Sequence, residues 1–250
     1  LFINKNINFI LVNFILITYF LQVVVALNYS LTYEVRLPSN YNTEQQYPVI
    51  FALHGMGSDE QDMLRLMEPL QSDFIIVAVR GPIVQGSGYA YFQIKSIGNP
   101  VRELFDASVQ GLQQLFVDLS AKYAIDPARR YIAGFSQGAI MAMTLSLIMG
   151  DAIKGIVAMS GYIPQFVKDE YKIKPNSELS VFISHGDQDH LFPLQLGEDN
   201  ASFFRGQTNN VTYVPYHGGH QVTPDLYQQF QQWLRTDAKL TAEDPKGLNS

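Results

Sequence analysis

The chain has 250 residues, 47% of them apolar and 16% charged, a balance that supplies a large core and excludes an intrinsically disordered chain. Its net charge of -6 comes without a long basic run, so the electrostatic footprint of a nucleic-acid binder is missing. It has no cysteine, which removes disulfides, thiolate metal sites and a cysteine nucleophile.

Residues 1–27 form a hydrophobic amino-terminal segment. From Phe9 to Leu27 only Asn13, Thr18, Tyr19 and Gln22 interrupt the apolar run; Lys5 precedes it, and Val24-Val25-Ala26 offers a small-residue cleavage site. This reads as a signal peptide or an uncleaved anchor, which would make the protein exported or membrane-bound. The first 22 residues are also dominated by the types that AT-rich DNA encodes. Translated upstream sequence is therefore a second reading, with a cytoplasmic protein and no membrane contact, and a structural amino-terminal helix is a third.

Residues 28–236 are expected to form one α/β domain, and 237–250 a polar tail that frays from Thr236. Leu31 to Leu37 alternates like an edge strand, and Val49 to Leu53 is a short apolar run typical of a buried parallel strand. Ser58 and Gln61 have capping-box spacing for a helix through about Leu70. Phe74 to Val79 is a second apolar strand, and Gln85 to Gly98 reads as a loop rich in glycine and aromatics. Asn99-Pro100 looks like the cap and first turn of a helix over Val101–Tyr123, which Asp126-Pro127 stops. Arg130 to Ala133 is a third strand, followed by an apolar helix from Gln137 to Met149 that Gly150 closes. Further strands are expected at Ile156–Ser160, Leu179–Ser184 and Val211–Tyr216, with a helix around Leu194–Arg205 and a last one from Thr223-Pro224. Strands alternating with helices predict a mainly parallel sheet covered on both faces.

The sharpest chemical signal is Gly134-Phe135-Ser136-Gln137-Gly138, set between an apolar strand and an apolar helix. This is the context of a nucleophile elbow, a turn so tight that side chains at the two glycines would strike backbone. Ser136 would sit at a helix amino terminus, where N–H groups favour negative charge. A serine hydroxyl needs a base, and the base an orienter. Of five histidines, His54 and His185 each precede a glycine directly after a strand and read as turn residues, and His190 as a rim residue. His217 and His220 follow the last strand in Tyr216-His217-Gly218-Gly219-His220; the two glycines favour His220 as the residue that can reach the strand ends. The acid should follow the preceding strand, where spacing leaves Asp187 and Asp189 open, the other being a turn residue bonded to its own backbone. Asp59, Glu60 and Asp62 cluster at a helix start, where the dipole favours them, and no metal-ligand spacing is present. Ile83, Tyr91 and Phe92 are candidates for an apolar acyl pocket.

Four ordered motifs, Leu53-His54-Gly55, Gly134 to Gly138, His185-Gly186 through Asp189 to Pro193, and Tyr216-x-Gly218-x-His220, resemble the phospholipase/carboxylesterase group of α/β-hydrolases. The resemblance runs from about Tyr47 to Trp233. It implies an α/β-hydrolase fold and cleavage of carboxylic esters or thioesters without a cofactor. It matches the acid to Asp189 and the base to His220, and implies oxyanion donors in the backbone N–H groups of Met56 and Gln137. The substrate is then a small-molecule ester or thioester. The strand near Tyr33–Leu37 and the loop Tyr89-Ala90-Tyr91-Phe92-Gln93 depart from the thioesterase branch, so its protein substrates are not carried over. A peptidase on the same fold and a catalytically silent binding scaffold are the alternatives.

Overall fold

A computed structural model describes residues 31–240; the hydrophobic segment 1–27 and the end of the tail lie outside the described residues. The strands are β1 (Tyr33–Arg36), β2 (Tyr47–Leu53), β3 (Ile75–Val79), β4 (Ile83–Gln85), β5 (Gly88–Ala90), β6 (Ile94–Ser96), β7 (Asn99–Pro100), β8 (Ile125–Phe135), β9 (Gly155–Met159), β10 (Ser180–Gly186) and β11 (Val211–Tyr216). The helices are α1 (Glu60–Met67), α2 (Arg102–Lys122), α3 (Gln137–Met149), α4 (Gln165–Glu170), α5 (Leu194–Arg205) and α6 (Pro224–Asp237). Among the described residues no helix is long and apolar enough to cross a membrane.

Seven strands make one sheet in the order β1-β3-β2-β8-β9-β10-β11. Only β1 runs antiparallel, along β3 at the edge; all other pairings are parallel. This is the mainly parallel α/β-hydrolase architecture. Alternate residues of a strand face opposite sides of a sheet. Val49, Phe51 and Leu53 accordingly pack with α2, α3, α4 and α5, whereas Ile50 and Ala52 pack with α1 and α6. Burial on both sides is why these strands are uninterrupted apolar runs. The chain passes from β2 to β3 on one side and then to β8 on the other. Strand order reverses between β2 and β8, and in open α/β sheets ligands bind outside the carboxyl ends of the strands at such a point.

The structure corrects several expectations in detail. Asp59, not Ser58, caps α1: its carboxylate accepts from the N–H groups of Gln61 and Asp62, while Ser58 turns its hydroxyl to Asp62. The segment expected as one loop carries two small hairpins, β4–β5 and β6–β7. Asn99-Pro100 belongs to the second of them, and α2 starts at Arg102 without a side-chain cap. The short helix α4 had no counterpart in the reading of the sequence. At the other end α6 reaches Asp237, whose carboxylate accepts from Tyr131 (2.8 Å) and Ser180 (2.6 Å), and Ala238 is buried, so the helix is tied down past Thr236.

Candidate active site

Ser136 stands between the end of β8 and the start of α3 with φ 53° and ψ -114°, a conformation an ordinary residue avoids. Such strain costs on the order of 1–3 kcal/mol and persists only where the surroundings over-determine it. Here its N–H donates to the Met159 carbonyl at 2.8 Å, and its own carbonyl accepts from Ala139 (3.0 Å) and Ile140 (3.1 Å). A Cβ at Gly134 would lie 2.2 Å from Gly138 backbone, and one at Gly138 would lie 2.0 Å from the Leu53 carbonyl oxygen. Both glycines are therefore required by close backbone approach. Every residue of α3 except Ile148 is buried, which makes the helix a rigid mount for the serine.

His220 reaches this serine from the loop after β11. Its Nε2 lies 2.8 Å from Ser136 Oγ and its Nδ1 lies 2.7 Å from Asp189 Oδ2. A carboxylate can only accept, so the ring proton sits on Nδ1 and Nε2 is left as the acceptor facing the hydroxyl. Phe135 and Phe192 flank the imidazole with ring centroids at 4.9 and 5.2 Å. The Asp189 side chain is wholly buried, and its Oδ1 accepts from the N–H groups of Leu191 and Phe192, both at 2.9 Å. The Asx-type turn thus belongs to Asp189. Asp187, its rival, turns its carboxylate mainly to the histidine loop. Its carboxylate meets His217 Nδ1 at 3.1 Å and accepts from Gly218 N–H at 3.1 Å, so the two rivals pair with each other at the rim.

Tyr216 braces the loop from below. Its hydroxyl lies 2.5 Å from the Gln221 carbonyl, 3.1 Å from that of Gly219 and 3.1 Å from Ser160 Oγ. His185 is buried and holds the Phe192 carbonyl through Nε2 at 2.8 Å, and His190 is exposed.

The N–H groups of Met56 and Gln137 make no hydrogen bond among the described residues. Gln137 opens α3, and the Met56 loop presses on the elbow so closely that a Cβ at Gly55 would lie 3.3 Å from Ser136 Cβ. Two donors therefore border the serine. A role missed in the sequence belongs to the Gln137 side chain: its Oε1 accepts from Tyr91 N–H (2.8 Å) and its Nε2 donates to the Phe92 carbonyl (2.7 Å). An amide next to Ser136, between an apolar strand and an apolar helix, must find two partners when buried, and that was the available signal.

The expected pocket residues need correction. Tyr91 and Phe92 are fully buried, Tyr91 against His54 and Phe92 against Phe105, so they support the wall and offer it no surface. Burial pushes the Tyr91 phenol well above its ordinary range. Ile83 is half-buried in β4. Exposed apolar side chains in the segments that follow β2, β3 and β10 are Met56, Val84, Ile94, Ile97 and Leu191. In the acidic cluster Glu60 is buried and paired with Arg80, whose guanidinium also lies over the Tyr89 ring; this pairing holds the Glu60 carboxyl down at about 2. Among the described residues no group of side chains could hold a metal ion.

A family model described as phospholipase/carboxylesterase matches residues 39–238. The chain belongs to the phospholipase/carboxylesterase family. Acyl-protein thioesterase 1 of Gibberella zeae is 26% identical over 201 residues, 73% of this chain and 84% of that protein. A putative hydrolase of Bacillus subtilis is 24% identical over 187 residues, 75% of this chain and 92% of its own length. The crystal structure of the Bacillus cereus carboxylesterase superposes with a TM-score of 0.73 at 23% identity, covering 83% of this chain and 95% of that one. At that identity the likeness shows the fold. This phospholipase/carboxylesterase family chain keeps the elbow, the acid loop and the histidine loop inside the matched span.

Proposed function

We propose that the chain is a serine hydrolase of carboxylic esters, thioesters included, working through an acyl-enzyme on Ser136. One observation carries this reading: a single imidazole touches both the Ser136 hydroxyl (2.8 Å) and the buried Asp189 carboxylate (2.7 Å). His220 takes the hydroxyl proton as Oγ attacks the substrate carbonyl. Asp189 keeps the ring in the Nδ1–H tautomer and stabilises the imidazolium. The Met56 and Gln137 N–H groups receive the oxyanion; losing one such donor typically costs about 10²–10³ in rate. His220 then protonates the leaving alcohol or thiol, and water attacks the acyl-enzyme by the same route in reverse. No step calls for a cofactor.

Membership of the phospholipase/carboxylesterase family and the likeness to an acyl-protein thioesterase support this substrate class. The test is labelling by a fluorophosphonate probe followed by peptide mapping. The adduct is expected on Ser136; folded protein that takes no label supports the silent scaffold instead.

A further inference from the structure

His54 is wholly buried beside the nucleophile and takes no part in the chemistry above. Its two ring nitrogens face different backbone groups. Nε2 lies 2.9 Å from the Gly81 nitrogen, a donor, so Nε2 must accept. The proton is then on Nδ1, which lies 2.7 Å from the Gly55 carbonyl oxygen and donates to it. The same oxygen also accepts from Ser58 N–H at 3.2 Å. Burial lowers the pKa of the imidazole and keeps it neutral in this tautomer.

The Gly55 carbonyl and the Met56 N–H belong to one planar peptide unit, and in a trans unit the two point in opposite directions. Whatever pulls the carbonyl inward turns the N–H outward. The elbow lies against this unit, as the close approach of Gly55 to Ser136 shows. Behind His54 stands Tyr91, whose ring packs on the imidazole at 4.9 Å and whose hydroxyl accepts from His54 N–H and donates to the Val79 carbonyl. Tyr91 N–H is in turn held by the Gln137 side chain. The two N–H groups that border Ser136 are therefore joined behind the site by one buried chain of contacts, from Gly55 through His54 and Tyr91 to Gln137.

We infer that His54 is a positioning residue that aims the Met56 N–H at the oxyanion, acting through the Gly55 carbonyl. The inference rests on the hydrolase reading. It separates two bonds that one ring makes, and two amides can replace them singly. In His54→Asn the amide nitrogen stands near Nδ1 and keeps the donor to Gly55. In His54→Gln the terminal amide stands near Nε2 and keeps only the tie to Gly81. A residue that merely packs or ties Gly81 would favour the glutamine.

The experiment measures kcat and KM on p-nitrophenyl butyrate, and inhibition by an alkyl trifluoromethyl ketone, whose adduct carries the oxyanion. H54N is expected within about threefold of wild type. H54Q is expected to lose kcat by on the order of 10–10² with KM within about twofold, and to bind the ketone weaker by the same factor, as a misaimed oxyanion donor requires. H54Q equal to or better than H54N overturns the inference. Should H54Q fail to fold, H54N alone decides, because it deletes the ring and the Gly81 bond together: near-normal kcat supports the role and a loss of tenfold or more overturns it. Wild-type protein whose Ser136 takes no fluorophosphonate sinks the hydrolase reading itself, whereas labelled protein with indistinguishable variants removes only the part given to His54.

Discussion

The Nδ1 of His220 lies 2.7 Å from Oδ2 of Asp189, on a carboxylate with no solvent exposure. Its other oxygen is occupied by two backbone N–H groups, so only one orientation is open to it. Asp189→Asn must keep its carbonyl oxygen on those two N–H groups, because an amide NH2 cannot accept, and so turns its own N–H toward the ring. With that N–H facing Nδ1, the proton must move to Nε2, which then cannot accept from Ser136. The expected loss in kcat is about 10³–10⁴ on p-nitrophenyl butyrate, with KM little changed. Stopped assays with purified variant check this, and activity within tenfold of wild type would contradict it.

The rim pair makes a contrasting prediction. His217 and Asp187 are exposed and bond each other 3.1 Å apart, outside the Ser136–His220–Asp189 line. His217→Ala is expected to keep kcat within about threefold, since the bond it removes is solvent-exposed and joins neither Ser136 nor Asp189. His220→Ala should lose at least about 10³. Equal losses in the two variants would mean that the base has been misassigned.

Glycine 138 is demanded by backbone. A methyl there would meet the Leu53 carbonyl oxygen at 2.0 Å, with no flexible side chain to yield. Gly138→Ala is expected to destabilise the fold by roughly 3 kcal/mol or more, or to dislodge β2 from α3 and abolish turnover. Thermal melts of the variant, compared with Gly219→Ala in the open histidine loop, measure the difference.

Much of this was legible in the sequence, and the exceptions share a cause. Strands buried on both faces write themselves as apolar runs, so Val49–Leu53 and Phe74–Val79 stood out, and the elbow stood out because two glycines flank a serine between such a strand and an apolar helix. The hairpins between Ile83 and Pro100 did not, because strands of two or three residues carry no period and their pairing depends on Gly57 and Ser58 receiving Tyr89. The choice between Asp187 and Asp189 could not be read from spacing, since both follow the same strand and only burial separates them. Tyr91 and Phe92 looked like pocket liners because aromatic residues in a glycine-rich loop suit one. Their burial is set by Gln137 and α2, elements distant in the chain.

Glu60 yields a prediction in acid. Its carboxyl is held from 4.5 down to about 2 by Arg80, so the native state binds its proton less readily than the unfolded chain. A depressed carboxyl adds stability that is present above pH 4.5 and is lost as the pH falls toward 2. Glu60→Gln should therefore lower stability at pH 7 by roughly 2–3 kcal/mol, and the gap to wild type should close as the pH approaches 2. Urea melts across that range test it; a gap independent of pH would assign the pair a packing role only.

The central claim is that Ser136 carries the acyl group. Turnover of p-nitrophenyl butyrate by purified Ser136→Ala, with fold confirmed by circular dichroism, tests it most directly. A fall on the order of 10⁴-fold or more in kcat, leaving only the contribution of binding and the oxyanion donors, is expected. A variant that turns over the ester at the wild-type rate would contradict the assignment of the nucleophile and everything built on it.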